Sequence, residues 1–276
     1  MRNRFSAKVL AIGLACALTA GMAHAENLTI TGSGNLEFVL GELAKAFNGS
    51  QSKHRVSVPP STGTAGGLRD LMDGTTTLGR IGRPLREKER AEGLTFFPLG
   101  RDPVAFAGGS GVTVTSISPA QLIDVYTGKA GDWRELGGRP GPIRAVGRER
   151  TDASAQAISA VLPAFKDITL HESVKVVHLD PQMIALLDRY PTSFGFLNRS
   201  ALLAAKTKLA LLSLDGAAPT AENVASGRYP IWLEFGLAYH KARLTDGGRE
   251  FLRFIESPAG DRVLRASGIL PPPSRS

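Results

Sequence analysis

Asn27-Leu28-Thr29-Ile30-Thr31-Gly32-Ser33-Gly34-Asn35-Leu36 is the stretch on which the fold turns. Residues 27–31 read as a strand and Gly32-Ser33-Gly34 as a turn, after which Leu36, Val39, Leu40, Leu43 and Phe47 fall at helical spacing. A strand, a small-residue turn and a helix start in that order make the repeating unit of α/β folds. The first turn of such a helix also carries unpaired N–H groups. With glycine backbone and a hydroxyl beside them, those groups can hold an anion without many cations.

The unit recurs twice. Val56 and Val58 alternate with polar neighbours, residues 61–67 form a small-residue loop, and Leu68, Leu71 and Met72 begin a helix that stops near Asp73-Gly74. Residues 143–146 are strand-like, residues 148–154 make the third turn, and residues 151–162 are helical, with Ile158, Val161 and Leu162 on one face. Between and beyond these, Val104 to Ala107 read as a buried strand and Ser118-Pro119-Ala120-Gln121 as an N-cap with a first-turn proline. Residues 193–197 and 209–214 are expected strands. Residues 229–239 are apolar but too interrupted by Pro230 and Gly236 for a helix, the last helix covers about 247–255, and residues 271–276 read as a loose tail. Each turn also has a plainer reading, in which Asn35, Thr64 and Asp152 only cap their own helices.

Upstream of the first strand, Arg2, Arg4 and Lys8 precede an apolar run over residues 9–18, and Ala23-His24-Ala25 follows. That order predicts a secretory signal peptide over residues 1–25, cleaved after Ala25, and an exported, periplasmic protein. The run is too short to span a bilayer, which needs ~20 residues. A lipoprotein reading through Cys16 fails because Gly13 stands where a lipobox wants leucine. Cys16 is the only cysteine, so the exported chain would be held by its core and not by disulfides. The chain has 33 Lys and Arg against 25 Asp and Glu, a formal net charge of +8. Three of those cations leave with the leader, and no basic run with interleaved aromatics points to nucleic acid.

Enzyme readings find little support. Glu37 replaces the third glycine of a dinucleotide fingerprint beginning at Gly32, and Ser110 in Gly108-Gly109-Ser110-Gly111 does not fit the Gly-x-Ser-x-Gly elbow. The histidines are scattered, and His178 with Asp180 reads as a surface strand-to-loop pair before it reads as a metal site. No cofactor or metal is expected. A hydrolase assembled from distant residues, with Ser110 or Ser154 as nucleophile, stays as a remote alternative.

At the three turns the chain resembles the phosphate-binding proteins of ABC transporters and the wider group of type II periplasmic solute-binding proteins. Ile30-Thr31-Gly32-Ser33-Gly34 is similar to that family's first ligand loop, and Ser61-Thr62-Gly63-Thr64-Ala65-Gly66-Gly67-Leu68 to its second. Arg83-Pro84-Leu85, Gly100-Arg101-Asp102-Pro103-Val104-Ala105-Phe106, Tyr126-Thr127-Gly128-Lys129 with Asp132-Trp133, Gly195-Phe196, and residues 219–230 resemble later stretches in the same order. The resemblance implies two α/β lobes, each a mixed sheet flanked by helices, joined by two crossover strands near residues 102–106 and 229–236. Lobe I would comprise residues 26–104 and 236–276, and lobe II residues 105–235. The ligand would lie between them, held by Asn35, Leu36, Thr64, Arg148, Asp152, Ala153 and Ser154, with Arg148 the one side-chain cation.

Two departures follow from the resemblance. Gly82 stands where the family's phosphate specialists carry an aspartate that accepts the proton of hydrogen phosphate, and Asp152 stands where a hydroxyl is usual. Asp152 is expected either to take over the acceptor role or to cap its helix while the ligand is another oxyanion. Arg80 and Arg83 could add charge at the cleft mouth, although exposed surface arginines are the commoner case. The function implied is capture of phosphate or a related small oxyanion, by a monomer, for an ABC permease. A receptor-like or scavenging binding protein without a transporter is the alternative.

Overall fold

A computed structural model describes residues 25–272, so the expected leader and Cys16 lie outside the described residues, as do residues 273–276. The opening unit forms as two short strands, β1 (Asn27–Thr29) and β2 (Thr31–Gly32), a 3-10 turn (Gly34–Leu36) and α1 (Glu37–Ser50). The apolar stripe of α1, including Val39, Leu40, Leu43 and Phe47, is buried, as its spacing requires. Phe47 meets Phe251 and Phe254 edge-on at 5.3 and 5.5 Å between ring centroids. β3 (Arg55–Ser57) pairs in parallel with β1.

Helix α2 (Gly63–Met72) begins inside the stretch expected to be a loop. The glycines that suggested a loop serve close packing instead: a Cβ on Gly67 would lie 2.8 Å from the Gly32 Cα, so α2 can lie on β2 only without a side chain there. β4 (Gly79–Ile81) then pairs in parallel with β2, and α3 (Glu87–Ala91) leads into β5 (Leu94–Gly108), a strand of 15 residues.

The chain continues through β6 (Ser116–Ile117), α4 (Pro119–Thr127), β7 (Arg144–Arg148), α5 (Ala153–Val161), α6 (Pro163–Lys166), β8 (Lys175–Val177) and α7 (Asp180–Arg189). It closes with β9 (Ser193–Asn198), α8 (Arg199–Ala205), β10 (Ala210–Leu214), α9 (Ala221–Ala225), β11 (Trp232–His240), α10 (Asp246–Glu256) and α11 (Pro258–Ala266). Residues 229–239 are thus largely strand, and α11 is an element the sequence reading omits although Ser257 caps it and Pro258 opens it. The expected loose tail is held at its start, where Leu270 bridges to Arg101 and Pro271 and Pro272 are half-buried.

Nine strands form one mixed sheet in the order β2-β4-β11-β5-β9-β7-β8, with β10 on β5 and β6 on β10. β5 and β11 tie its two ends together. From Leu94 to Pro103, β5 runs antiparallel to β11; from Val104 it pairs with β9 instead, Val104 opposite Asn198. Beneath the second end, Tyr126 packs edge-on to Phe165 and Phe196, and its hydroxyl donates to the Val146 carbonyl at 2.9 Å. Burying each such ring contributes about 1.5–3 kcal/mol, and the hydroxyl's partner avoids the cost of leaving it unpaired.

Candidate functional site

Turns that follow strands at both ends of the sheet open on a single cleft of about 530 Å³. Ser33, Gly34 and Asn35 come from the first turn, Ser61 and the start of α2 from the second, and Arg148 to Ala153 from the third. A fourth turn, His178-Leu179-Asp180 between β8 and α7, completes the wall. Helix starts from four elements therefore converge and bring the positive ends of their dipoles to the cleft, with part of the first turn of α5 already bonded to Asp152 and Pro181 in the first turn of α7.

The seven expected site residues divide by position. Asn35, Thr64, Arg148, Asp152 and Ala153 line the cleft. Leu36 and Ser154 are buried behind it, at 0% and 1% exposure. Asn35 does not cap α1: its side-chain amide donates to Asn198 Oδ1 at 3.3 Å, and Ser154 Oγ donates to the same oxygen at 3.0 Å. Asn198 in turn donates to Asp102 Oδ2 at 3.2 Å, so a buried polar chain runs from the cleft floor to the β5 partner switch. Thr64 is the second residue of α2, and its hydroxyl accepts the Gly82 N–H at 3.2 Å. A Cβ on Gly82 would meet Ser33 Oγ at 2.7 Å and Thr64 Oγ1 at 3.5 Å, which puts that position between the hydroxyls of the first and second turns.

Arg148, at the end of β7, is almost enclosed. Its Nη1 donates to Asp180 Oδ1 at 3.1 Å and its Nη2 to Asp152 Oδ2 at 2.6 Å, while Nε has no partner among the described residues. Asp152 also caps α5, with Oδ1 accepting from the Ser154 and Ala155 N–H groups at 2.9 and 3.2 Å. Both oxygens of Asp152 are therefore engaged. Asp180 is 4% exposed, and its Oδ2 is buried with no partner among the described residues. Burial pushes the Asp180 carboxyl up to about 6, with the Arg148 charge opposing and the Asp152 charge adding to the rise. Asp102, wholly buried, is pushed up to about 7 for the same first reason, despite hydrogen bonds from Ser200 and Asn198.

Two expectations need correction. Asp180 is not a surface residue paired with His178: His178 is exposed and lies 3.1 Å from Glu149, whereas Asp180 sits under Arg148. Arg80 is not exposed either; it is fully buried, donating to the Ile30 and Pro59 carbonyls at 3.1 and 2.7 Å beneath the first turn. Arg83 does line the cleft, but as a fork on Glu89 at 2.8 and 2.7 Å, which draws the Glu89 carboxyl below its ordinary range. Asp102, Asn198 and Asp180 are the site residues that sequence reasoning missed. For Asp180 a signal existed: an acidic residue and Pro181 open a helix after a strand, a fourth copy of the recurring unit. Among the described residues no group of three or more His, Cys, Asp or Glu side chains could hold a metal ion.

A family model for the PBP superfamily domain matches residues 18–259. The chain belongs to the PBP superfamily. Its relatives within that superfamily include the phosphate-binding protein PstS of Bacillus subtilis (strain 168), 29% identical over 233 residues, which cover 84% of this chain and 75% of that one. An X-ray structure from Clostridium perfringens, assigned as a phosphate ABC transporter substrate-binding protein with bound phosphate, superposes with a TM-score of 0.78 at 23% identity, covering 90% of this chain and 100% of that one. An ABC-type phosphate transport receptor from Vibrio cholerae superposes at 0.66 with 22% identity, over 89% and 100% of the two chains. These superpositions give the architecture, a mixed α/β fold of the type II periplasmic binding protein kind.

Proposed function

We propose that this protein is an exported solute-binding protein that captures phosphate or a closely related oxyanion in the cleft and delivers it to an ABC importer. The observation that carries the reading is the convergence of four helix starts, with the Ser33 and Thr64 turns, on a cleft whose one enclosed cation among the described residues is Arg148. N–H groups and hydroxyls at helix starts suit a small tetrahedral anion, and Arg148 keeps an unpartnered Nε. The names borne by the relatives point to the same ligand class.

In this reading residues 26–104 with 236–276 act as one lobe and residues 105–235 as the other, with β5 and β11 as the connection. Contacts from both lobes make ligand binding favour the closed arrangement. The protein works as a monomer, without cofactor or catalytic step, after cleavage behind Ala25, and its partner is a membrane permease. Calorimetry of the purified chain with phosphate tests the proposal. Saturable one-to-one binding that Arg148→Ala abolishes is expected; no binding of phosphate, arsenate or sulfate would reject it.

A further inference from the structure

Three distant chain segments meet at one side chain beneath the cleft. Asn198, the last residue of β9, is fully buried. Its Oδ1 accepts from Asn35 Nδ2 at 3.3 Å and from Ser154 Oγ at 3.0 Å. Its Nδ2 donates to the Asn35 carbonyl at 3.4 Å and to Asp102 Oδ2 at 3.2 Å. An asparagine amide has two hydrogens to give and two lone pairs to fill, so its whole capacity is used here. Asn35 belongs to the first turn of the site and Ser154 to the start of α5, behind the third. Asp102 lies on β5 just before Val104, which pairs with Asn198 across the sheet.

We infer that Asn198 is a positioning residue of the site, its amide setting the spacing between the first and third turns in the one orientation that Asp102 permits. The inference rests on the proposed function and deepens it. Turned over, the amide would set Nδ2 against the Asn35 amide and Oδ1 against the Asp102 carboxylate, donor on donor and acceptor on acceptor. Asp102 is itself fixed, Oδ1 accepting the Ser200 N–H at 3.2 Å and Oδ2 the Ser200 hydroxyl at 2.5 Å. Asn198 is set back from the cleft and acts through its neighbours: Asn35 lines one wall, and Ala153, which precedes Ser154 on α5, lines the other. Asn35, Ser154, Asn198 and Asp102 are all buried, so water does not replace a bond that is lost. One side chain thus ties the two walls together at the floor without touching the ligand.

Titration calorimetry with phosphate, beside thermal melts, on the unaltered chain, N198A, N198D, D102N and the double variant N198D/D102N tests this. A pH of about 8 keeps Asp102, pushed up to about 7, largely ionised. N198A should bind phosphate about tenfold or more weakly, the scale of two lost buried hydrogen bonds. A side chain that only packs would lower the melting temperature of N198A and leave the dissociation constant of the folded protein unchanged, which overturns the inference. N198D keeps Oδ1 for Asn35 and Ser154 but sets a carboxylate against Asp102, and should lose affinity by about tenfold or more as well. Adding D102N supplies the missing donor from the other side, so the double variant should return to within about threefold of the unaltered chain. Losses that simply add in the double variant overturn the role given to Asp102. Should N198D not fold, N198A decides: weakened binding supports the inference and unchanged binding overturns it, with phosphate capture left standing. Failure of the unaltered chain to bind phosphate rejects the proposed function and the inference together.

Discussion

Asp102 is the most deeply buried carboxyl of the site and titrates near neutrality, at about 7 against 3.8 for the free side chain. The folded chain therefore keeps this proton at pH values where the unfolded chain has lost it. Its contribution to stability falls as pH rises from about 4 to about 7, and the loss is complete above that window. Replacing Asp102 with asparagine removes the titration, so the stability of Asp102→Asn relative to the unaltered chain should improve by on the order of 1–4 kcal/mol between pH 4 and pH 8. Urea melts of both proteins at several pH values check this, and a pH-independent difference would falsify it. Arg148 makes the opposite case. Its removal leaves Asp180, 2% exposed in its side chain, without a counter-charge. Arg148→Ala should cost about 3–5 kcal/mol in denaturant melts and abolish ligand binding. A loss below 1 kcal/mol would mean that the aspartates are simply protonated in the folded state.

Elements built from local signals were legible in the sequence, and those built from distant partners were not. Ser118 was expected to cap α4 and does, its hydroxyl accepting the Gln121 N–H at 3.2 Å while Gln121 returns a bond at 2.9 Å. Ser118→Ala should accordingly lower stability by ~1 kcal/mol, read as a shift in denaturation midpoint at unchanged slope. α1 follows from periodicity alone. The sequence marks only residues 104–107 of β5 as strand, yet the strand begins at Leu94 and runs through Pro98, Gly100 and Pro103, since β11 lies alongside from Leu94 to Pro103. Gly236 shows how that pairing is accommodated. The register shifts between Phe235 and Gly236, and a Cβ there would lie 2.2 Å from the Phe97 carbonyl oxygen. Gly236→Ala should destabilise by more than 2 kcal/mol, in the range of overpacked cores; a neutral variant would show that β11 can slide. In the site, the three turns and Arg148 were visible as strand-turn-helix units. The Arg148–Asp180 pair and the Asn35–Asn198–Asp102 chain were not, because they join residues brought together only when the sheet forms.

At the scale of the whole molecule the proposed closure can be tested against the strand connections. The walls of the cleft come from residues 33–89 on one side and 148–180 on the other, and β5 and β11 run between the two ends of the sheet. If the two walls move as the proposed lobes, the motion has to be taken up where β5 changes partner at Pro103 and Val104 and where β11 shifts register at Gly236. A two-strand connection of this kind bends more readily than it shears, since shear would break the ladder hydrogen bonds of both strands at once. In the proposed reading an anion is held by the Ser33 and Thr64 turns and by Arg148 from opposite walls, so ligand should draw the ensemble toward the closed form. Phosphate at a hundred times its dissociation constant should then add ~2.7 kcal/mol to stability, a rise of roughly 5–10 °C in Tm for a chain of this size. Small-angle X-ray scattering of the same samples should show a smaller radius of gyration with phosphate than without it, and no change for Arg148→Ala. Stabilisation without compaction would place the ligand in a cleft that is already closed, and the partner switch on β5 would then be a rigid joint and not a hinge.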